Sequence, residues 1–126
     1  MDENAISRVL VEAAIEVHKT LGGPGLLESV YQECLQYELE LRGMFVEREV
    51  IVPITYKGRS ITAPLRCDLI VNKLVIVECK ATIDYNKIFE YQLLTYLRLT
   101  ELKLGLIINF GERYVKDGIH RVVNGL

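Results

Sequence analysis

Three charged residues interrupt the most apolar stretch of this 126-residue chain. Asp68 stands inside LRCDLIV, and Glu78 and Lys80 follow directly on LVIV in LVIVECKAT. Burying an unpaired charge is costly, so charges in such runs pair, hold a metal ion or leave the core. If both segments are strands, Glu78 and Lys80 share one face, as do Arg66, Asp68 and Ile70. Two carboxylates opposed across a hairpin, with an ammonium beside them, make a site for a hard cation, and carboxylate oxygen suits Mg²⁺ or Mn²⁺. The lysine could orient a water, help to deprotonate it, or offset charge on a phosphate. A strand leaving the core through a Lys/Glu ion pair explains the same residues without chemistry, and a D…ExK pattern is short and common.

The site therefore depends on register. Directly opposed residues of an antiparallel hairpin share a face. Asp68 lies opposite Glu78 only if the connecting loop has an odd length, for example Asn72-Lys73-Leu74 with Val71 opposite Val75. A two-residue turn at Asn72-Lys73 would oppose Asp68 to Val77 and split the charges between faces. The three-residue loop needs one left-handed residue, which Asn tolerates. The charged face would then hold Arg66, Asp68, Glu78 and Lys80. The other would hold Cys67, Leu69, Val71, Val75, Val77 and Cys79, a core face on which both cysteines are small buried hydrophobes.

Ile6, Val9, Leu10, Ala13, Val17 and Leu21 recur at helical spacing and predict a helix over residues 5–21, with Asn4 as its cap. Gly22, Gly23, Pro24 and Gly25 stop it. A second helix should run from Leu26 or Leu27 to Gly43. Strands are predicted over 46–56, 59–71 and 74–81, with turns at Lys57-Gly58 and Asn72-Lys73. A third helix should cover 85–101. Residues 104–110 form a short apolar strand, and 114–123 a final strand or hairpin interrupted at Asp117-Gly118. The order ααβββαβ(β) predicts an α+β fold, a mixed sheet with helices packed against it, in a single domain spanning 1–126.

The segment LRCDLIV…VECK resembles the D…(D/E)xK core of the PD-(D/E)XK nuclease superfamily, with Cys67 where a proline commonly precedes the Asp. The resemblance implies that Asp68 and Glu78 bind metal, that Lys80 serves catalysis, and that Cys79 lends its backbone carbonyl to the metal. Upstream, GLLESVY, Gly25 to Tyr31, within VHKTLGGPGLLESVYQECL, resembles the signature of the GxxExxY family, a branch of that superfamily. Glu28 and Tyr31 share a helical side. Glu28 falls in the first helical turn, where the dipole favours a carboxylate whatever its role. In the similar RecB-like and phage-exonuclease-like members, a helical acid in this position completes the metal site. Downstream, Gln92 and Tyr96 in QLLTY resemble the QxxxY of RecB-like nucleases. Their spacing puts both on one helix face, where a plain polar patch would look the same. Tyr31 could hydrogen-bond near Glu28 or fill the core, and His18 could face the site or simply pack.

The resemblance implies a restriction-endonuclease-like sheet and a Mg²⁺- (or Mn²⁺-) dependent nuclease, with DNA as the nucleic-acid partner. Water would attack in line, Lys80 would position it, and Gln92, Tyr96 and Arg66 would engage substrate. The alternative is a catalytically silent protein of nuclease fold, acting as a binding or partner subunit.

Composition bears on that choice. Half the residues are hydrophobic and a quarter charged, with a net charge of −2. No Lys/Arg block captures nucleic acid non-specifically, which argues against a pure DNA-binding module. It argues less against a metal-dependent enzyme, whose cation offsets its carboxylates. Three cysteines without a CxxC pair suit a reducing compartment and give no zinc site. The N-terminus lacks an apolar signal core and the apolar runs are too short to span a membrane, so a cytoplasmic protein is expected. The positive mean hydropathy, +0.19, leaves room for a homodimer or partner-protein interface, or for a sheet covered on both faces.

Overall fold

The computed structural model describes all residues, 1–126. Helix α1 (Glu3–Thr20) buries Ile6, Leu10, Ala13, Ala14 and Val17. Its cap is Asp2 rather than Asn4: the Asp2 carboxylate accepts the Ala5 N–H at 2.8 Å. Asn4 is already helical, and its side-chain oxygen accepts instead from Arg121 at 2.7 Å. Helix α2 (Glu28–Leu41) buries Tyr31, Gln32, Leu35 and Leu39. Gly43, at φ 83°, turns the chain out of it, and the Met44 N–H closes back on the Leu39 carbonyl.

The predicted strand over 46–56 is two elements. Strand β1 (Val46–Val52) stops before Pro53, which has no N–H for a ladder. Strands β2 (Thr55–Tyr56) and β3 (Arg59–Ser60) pair as a separate ribbon. Lys57 and Gly58 between them both have positive φ, which a two-residue hairpin turn requires. The predicted strand over 59–71 splits too, resuming after Pro64 as β4 (Leu65–Val71). Then come β5 (Val75–Lys80), helix α3 (Ile88–Thr100), β6 (Leu104–Asn109), a single 3-10 turn (Val115–Gly118) and β7 (Ile119–Val123).

The main sheet has the order β1-β4-β5-β6-β7. Only β5 and β6 run parallel, joined across α3, so the sheet is mixed. Helices α1 and α2 pack on one face, over Leu69, Val71, Val75, Val77, Cys79, Leu106 and Ile108. Leu93 and Leu97 of α3 pack on the other, over Ile70, Ile76 and Ile107. Gly105 allows this: a Cβ there would meet the Leu93 side chain at 2.8 Å. The central strands are therefore covered on both sides, which accounts for the hydropathy without a second chain. No helix is long and apolar enough to cross a membrane.

Candidate active site

The β4–β5 register sets the geometry. Leu69 pairs with Val77, Ile70 with Ile76 and Val71 with Val75. The loop is Asn72-Lys73-Leu74, but it contains two left-handed residues rather than one, Asn72 at φ 52° and Lys73 at φ 58°. Continued one step, this register puts Asp68 opposite Glu78, and there the ladder ends. The side chains take over the backbone donors: Glu78 Oε2 accepts the Asp68 N–H at 3.2 Å, and Asp68 Oδ2 accepts the Cys79 N–H at 2.8 Å. Each carboxylate is thereby fixed to the opposite strand.

Arg66, Asp68, Glu78 and Lys80 line one cavity of about 120 Å³ with Phe89, Gln92 and Tyr96 of α3. The last three sit at i, i+3 and i+7 on one helical face. Phe89 was missed in the sequence, although that spacing would have found it. Lys80 makes no ion pair with either carboxylate. Its ammonium lies 4.4 Å from the centre of the Phe89 ring, a cation–π arrangement that steers it over the cavity.

Glu78 is only 8% exposed, and its Oε1 is buried with no hydrogen-bond partner. Burial, then the charge of Asp68, pushes its carboxyl up to about 9. Burial also raises Asp68, against the pull of the Cys79 N–H. Two such acids in one poorly solvated place resist carrying two charges unless a cation joins them. The orphaned oxygen and the all-oxygen donor set fit a hard divalent ion. Burial and the same carboxylates raise the Cys67 thiol to about 12 and push the Cys79 thiol well above its ordinary value, so neither is a thiolate ligand or nucleophile.

Glu28 is the first residue of α2 and is exposed. It lies within electrostatic reach: partial burial raises its carboxyl, Lys80 opposes the rise and Asp68 adds to it. It does not line the cavity, and no three acids, histidines or cysteines close into a metal-binding group. One turn on, Gln32 donates to Glu49 Oε1 at 2.9 Å and to the Asp68 carbonyl at 3.4 Å, tying α2 to the strand that carries the site.

Glu49 marks a departure from the sequence reading. It is left-handed, at φ 54°, and the β1–β4 ladder skips its step opposite Asp68. Alternation of the apolar residues breaks down around this step. Val46 and Val71 pack under α1 and α2, whereas Val50, Val52, Leu65 and Cys67 pack on the α3 side. Cys67 therefore packs apart from Leu69 and Cys79, across the ladder step that is lost opposite the left-handed Glu49 of β1.

The end of β5 is braced by residues at the end of β6. The Phe110 N–H donates to the Lys80 carbonyl at 2.7 Å. Asn109, fully buried, accepts from the Thr82 and Gly111 N–H groups and donates to the Thr82 carbonyl, at 3.0–3.1 Å. His18 packs rather than facing the cavity, with Nε2 3.1 Å from the Phe110 carbonyl. Tyr31 does both things open to it in sequence. Its ring stacks on Phe110 at 4.6 Å, and its hydroxyl donates to the Gly23 carbonyl at 2.7 Å and accepts the Leu26 N–H at 3.2 Å. That tyrosine shapes the glycine loop leading into Glu28.

A family model described as PD-(D/E)XK nuclease superfamily matches residues 4–122. No curated protein matches. Among solved structures, the crystal structure of SSO0001 is similar over 96% of this chain and 79% of that one, at 16% identity and a TM-score of 0.49, too distant to add to the argument. The five-stranded mixed sheet with helices on both faces is consistent with a restriction-endonuclease-like fold.

Proposed function

This chain belongs to the PD-(D/E)XK nuclease superfamily, and from that premise we propose that it is a Mg²⁺- or Mn²⁺-dependent nuclease of the GxxExxY branch, hydrolysing phosphodiester bonds in DNA. Residues 1–126 act in this reading as one nuclease-like domain. The observation that carries it is the unpartnered, buried Oε1 of Glu78 beside the Asp68 carboxylate.

Asp68, Glu78 and the Cys79 backbone carbonyl would hold the cation, and Glu28, outside the cavity at the start of α2, would join them on binding. When bound, the ion supplies Lewis-acid polarisation of the phosphate and lowers the pKa of water. The protein does the positioning. Hydrogen bonds across the β4–β5 fork hold the two acids in fixed orientation. Lys80, directed by Phe89, places a positive charge where negative charge develops on the phosphate, and orients the attacking water. Gln92 and Tyr96 offer an amide and a hydroxyl to the substrate backbone, and Arg66 offers a guanidinium to a neighbouring phosphate.

Glu28 standing off the acid pair favours one rival, a protein of this fold that binds partners without cutting. The two separate when wild-type protein is incubated with single- and double-stranded DNA and RNA in Mg²⁺, Mn²⁺ or EDTA. The nuclease reading expects cleavage of DNA in either metal and none in EDTA. An intact substrate under every condition favours the silent rival.

A further inference from the structure

On the α1 side of the molecule, a cavity of about 370 Å³ opens between the end of α1, the glycine loop and the segment before β7. Lys19, Arg113 and Lys116 line it, with Gly22, Gly23 and Tyr114, and no carboxylate does. All three cations are exposed, and none makes a salt bridge; the ion pairs of the molecule involve Arg42, Arg48 and His120. In a chain of net charge −2, three unpaired cations around one concave surface form a local positive field of the kind that attracts phosphate. Gly22 and Gly23, at φ 90° and 95°, have no side chain to fill the opening. Tyr114 is 55% exposed, and the Arg113 guanidinium lies 5.3 Å from its ring centre, so an aromatic face of the kind that stacks bases borders the cations.

Two chains of hydrogen bonds link the walls of the cleft to the elements that carry the acid site. His18, in its wall, contacts the Phe110 carbonyl, and the Phe110 N–H is bonded to the Lys80 carbonyl. Gly23, also in its wall, is held by the hydroxyl of Tyr31, one helical turn beyond Glu28. The glycine loop lines the cleft with Gly22 and Gly23 and leads into Glu28 at the start of α2. The acid site mixes two carboxylates with Arg66 and Lys80, whereas the charged residues lining this cleft are all cations.

We propose that this cleft is a phosphate-binding subsite for the polynucleotide strand flanking the scissile bond, which passes over the glycine loop from one site to the other. The proposal rests on the nuclease reading for the identity of its ligand. It supplies the grip on substrate that the charge pattern along the sequence does not reveal, because the three cations come from segments nearly a hundred residues apart.

The test is binding of labelled single-stranded and duplex DNA to metal-free full-length protein, by fluorescence anisotropy across a salt titration. The triple variant Lys19→Ala/Arg113→Ala/Lys116→Ala should bind roughly tenfold or more weakly at moderate salt. Its salt slope should fall by up to about 0.9 per removed cation on duplex and about 0.7 on single strand. A control variant, Lys73→Ala/Arg98→Ala/Lys103→Ala, removes equal charge from the opposite end of β5 and β6 and should keep most of the affinity. Unchanged affinity and slope in the first variant, or an equal loss in the control, would overturn the subsite. So would tight calorimetric binding of inorganic phosphate or a mononucleotide to a cleft whose cations do not matter for DNA. Cleavage is measured separately: a protein that cuts nothing yet binds DNA through these cations keeps the subsite and loses the nuclease reading, and the reverse result does the opposite.

Discussion

Glu78 spends one carboxylate oxygen on the backbone N–H of Asp68, 3.2 Å away, and leaves the other buried and unpartnered. An oxygen in that state is destabilising in the empty protein and available to a cation. Millimolar Mn²⁺ or Mg²⁺ should therefore raise the melting temperature. Binding at a hundredfold over Kd adds about 2.7 kcal/mol, a shift of several degrees. Asp68→Asn should weaken the shift and, at alkaline pH where Glu78 also ionises, stabilise the metal-free protein, since it removes one of two like charges. A wild-type melting curve unmoved by Mn²⁺ would count against a metal site.

Acidity should reveal the same pair. The folded-state pKa of Glu78 lies near 9, above its ordinary value of 4.5. The folded protein then holds a proton that the unfolded chain gives up. This contribution to stability is complete below pH 4.5 and is lost as pH rises towards 9. Asp68 and Glu28 shift in the same direction. In EDTA, urea unfolding should show stability declining across that window, by an amount on the order of a few kcal/mol. Glu78→Gln should flatten the decline, and saturating Mg²⁺ should do so in the wild type. A decline as steep in the glutamine variant would place its origin elsewhere.

Much of this site was legible in the strands and little of it in the connections. Alternation and the Asn72-Lys73-Leu74 loop were enough to put Asp68 opposite Glu78, because a period of two and a loop length fix a hairpin. Phe89 was legible in principle, three residues before Gln92. The strand break at Pro53 was too, since a missing N–H ends a ladder. The left-handed backbone of Glu49 was not, because glutamate carries no preference for that conformation. The stand-off of Glu28 depends on where the glycine loop, pinned by Tyr31, delivers α2, a tertiary matter that spacing does not encode.

The braces around β5 should be separable from the chemistry. Asn109→Ala removes three hydrogen bonds and strands the Thr82 and Gly111 N–H groups. It should cost about 2–4 kcal/mol of stability by chemical denaturation. Tyr31→Phe keeps the stack on Phe110 and loses only the hydroxyl bonds to the glycine loop. It should cost about 1–2 kcal/mol and lower activity by loosening Glu28. If Asn109→Ala melts like wild type, the brace is not structural.

Phe89 should act through Lys80. Phe89→Leu keeps an apolar side chain and removes the ring under the ammonium, so kcat should fall by roughly tenfold, from the loss of about 1 kcal/mol or more of positioning. KM should change little. Gln92→Ala should show the opposite pattern, raising KM, because an amide contacts substrate but does not hold a cation strongly. Equal effects on kcat and KM in both variants would contradict these separate roles.

The most direct test compares wild type with Lys80→Ala for two properties at once, DNA cleavage in Mg²⁺ and the Mn²⁺-induced rise in melting temperature. Lys80 lines the cavity without being a ligand, so the variant should fold, keep the thermal shift and lose cleavage by several orders of magnitude. A Lys80→Ala protein that cuts DNA as fast as wild type would contradict the mechanism.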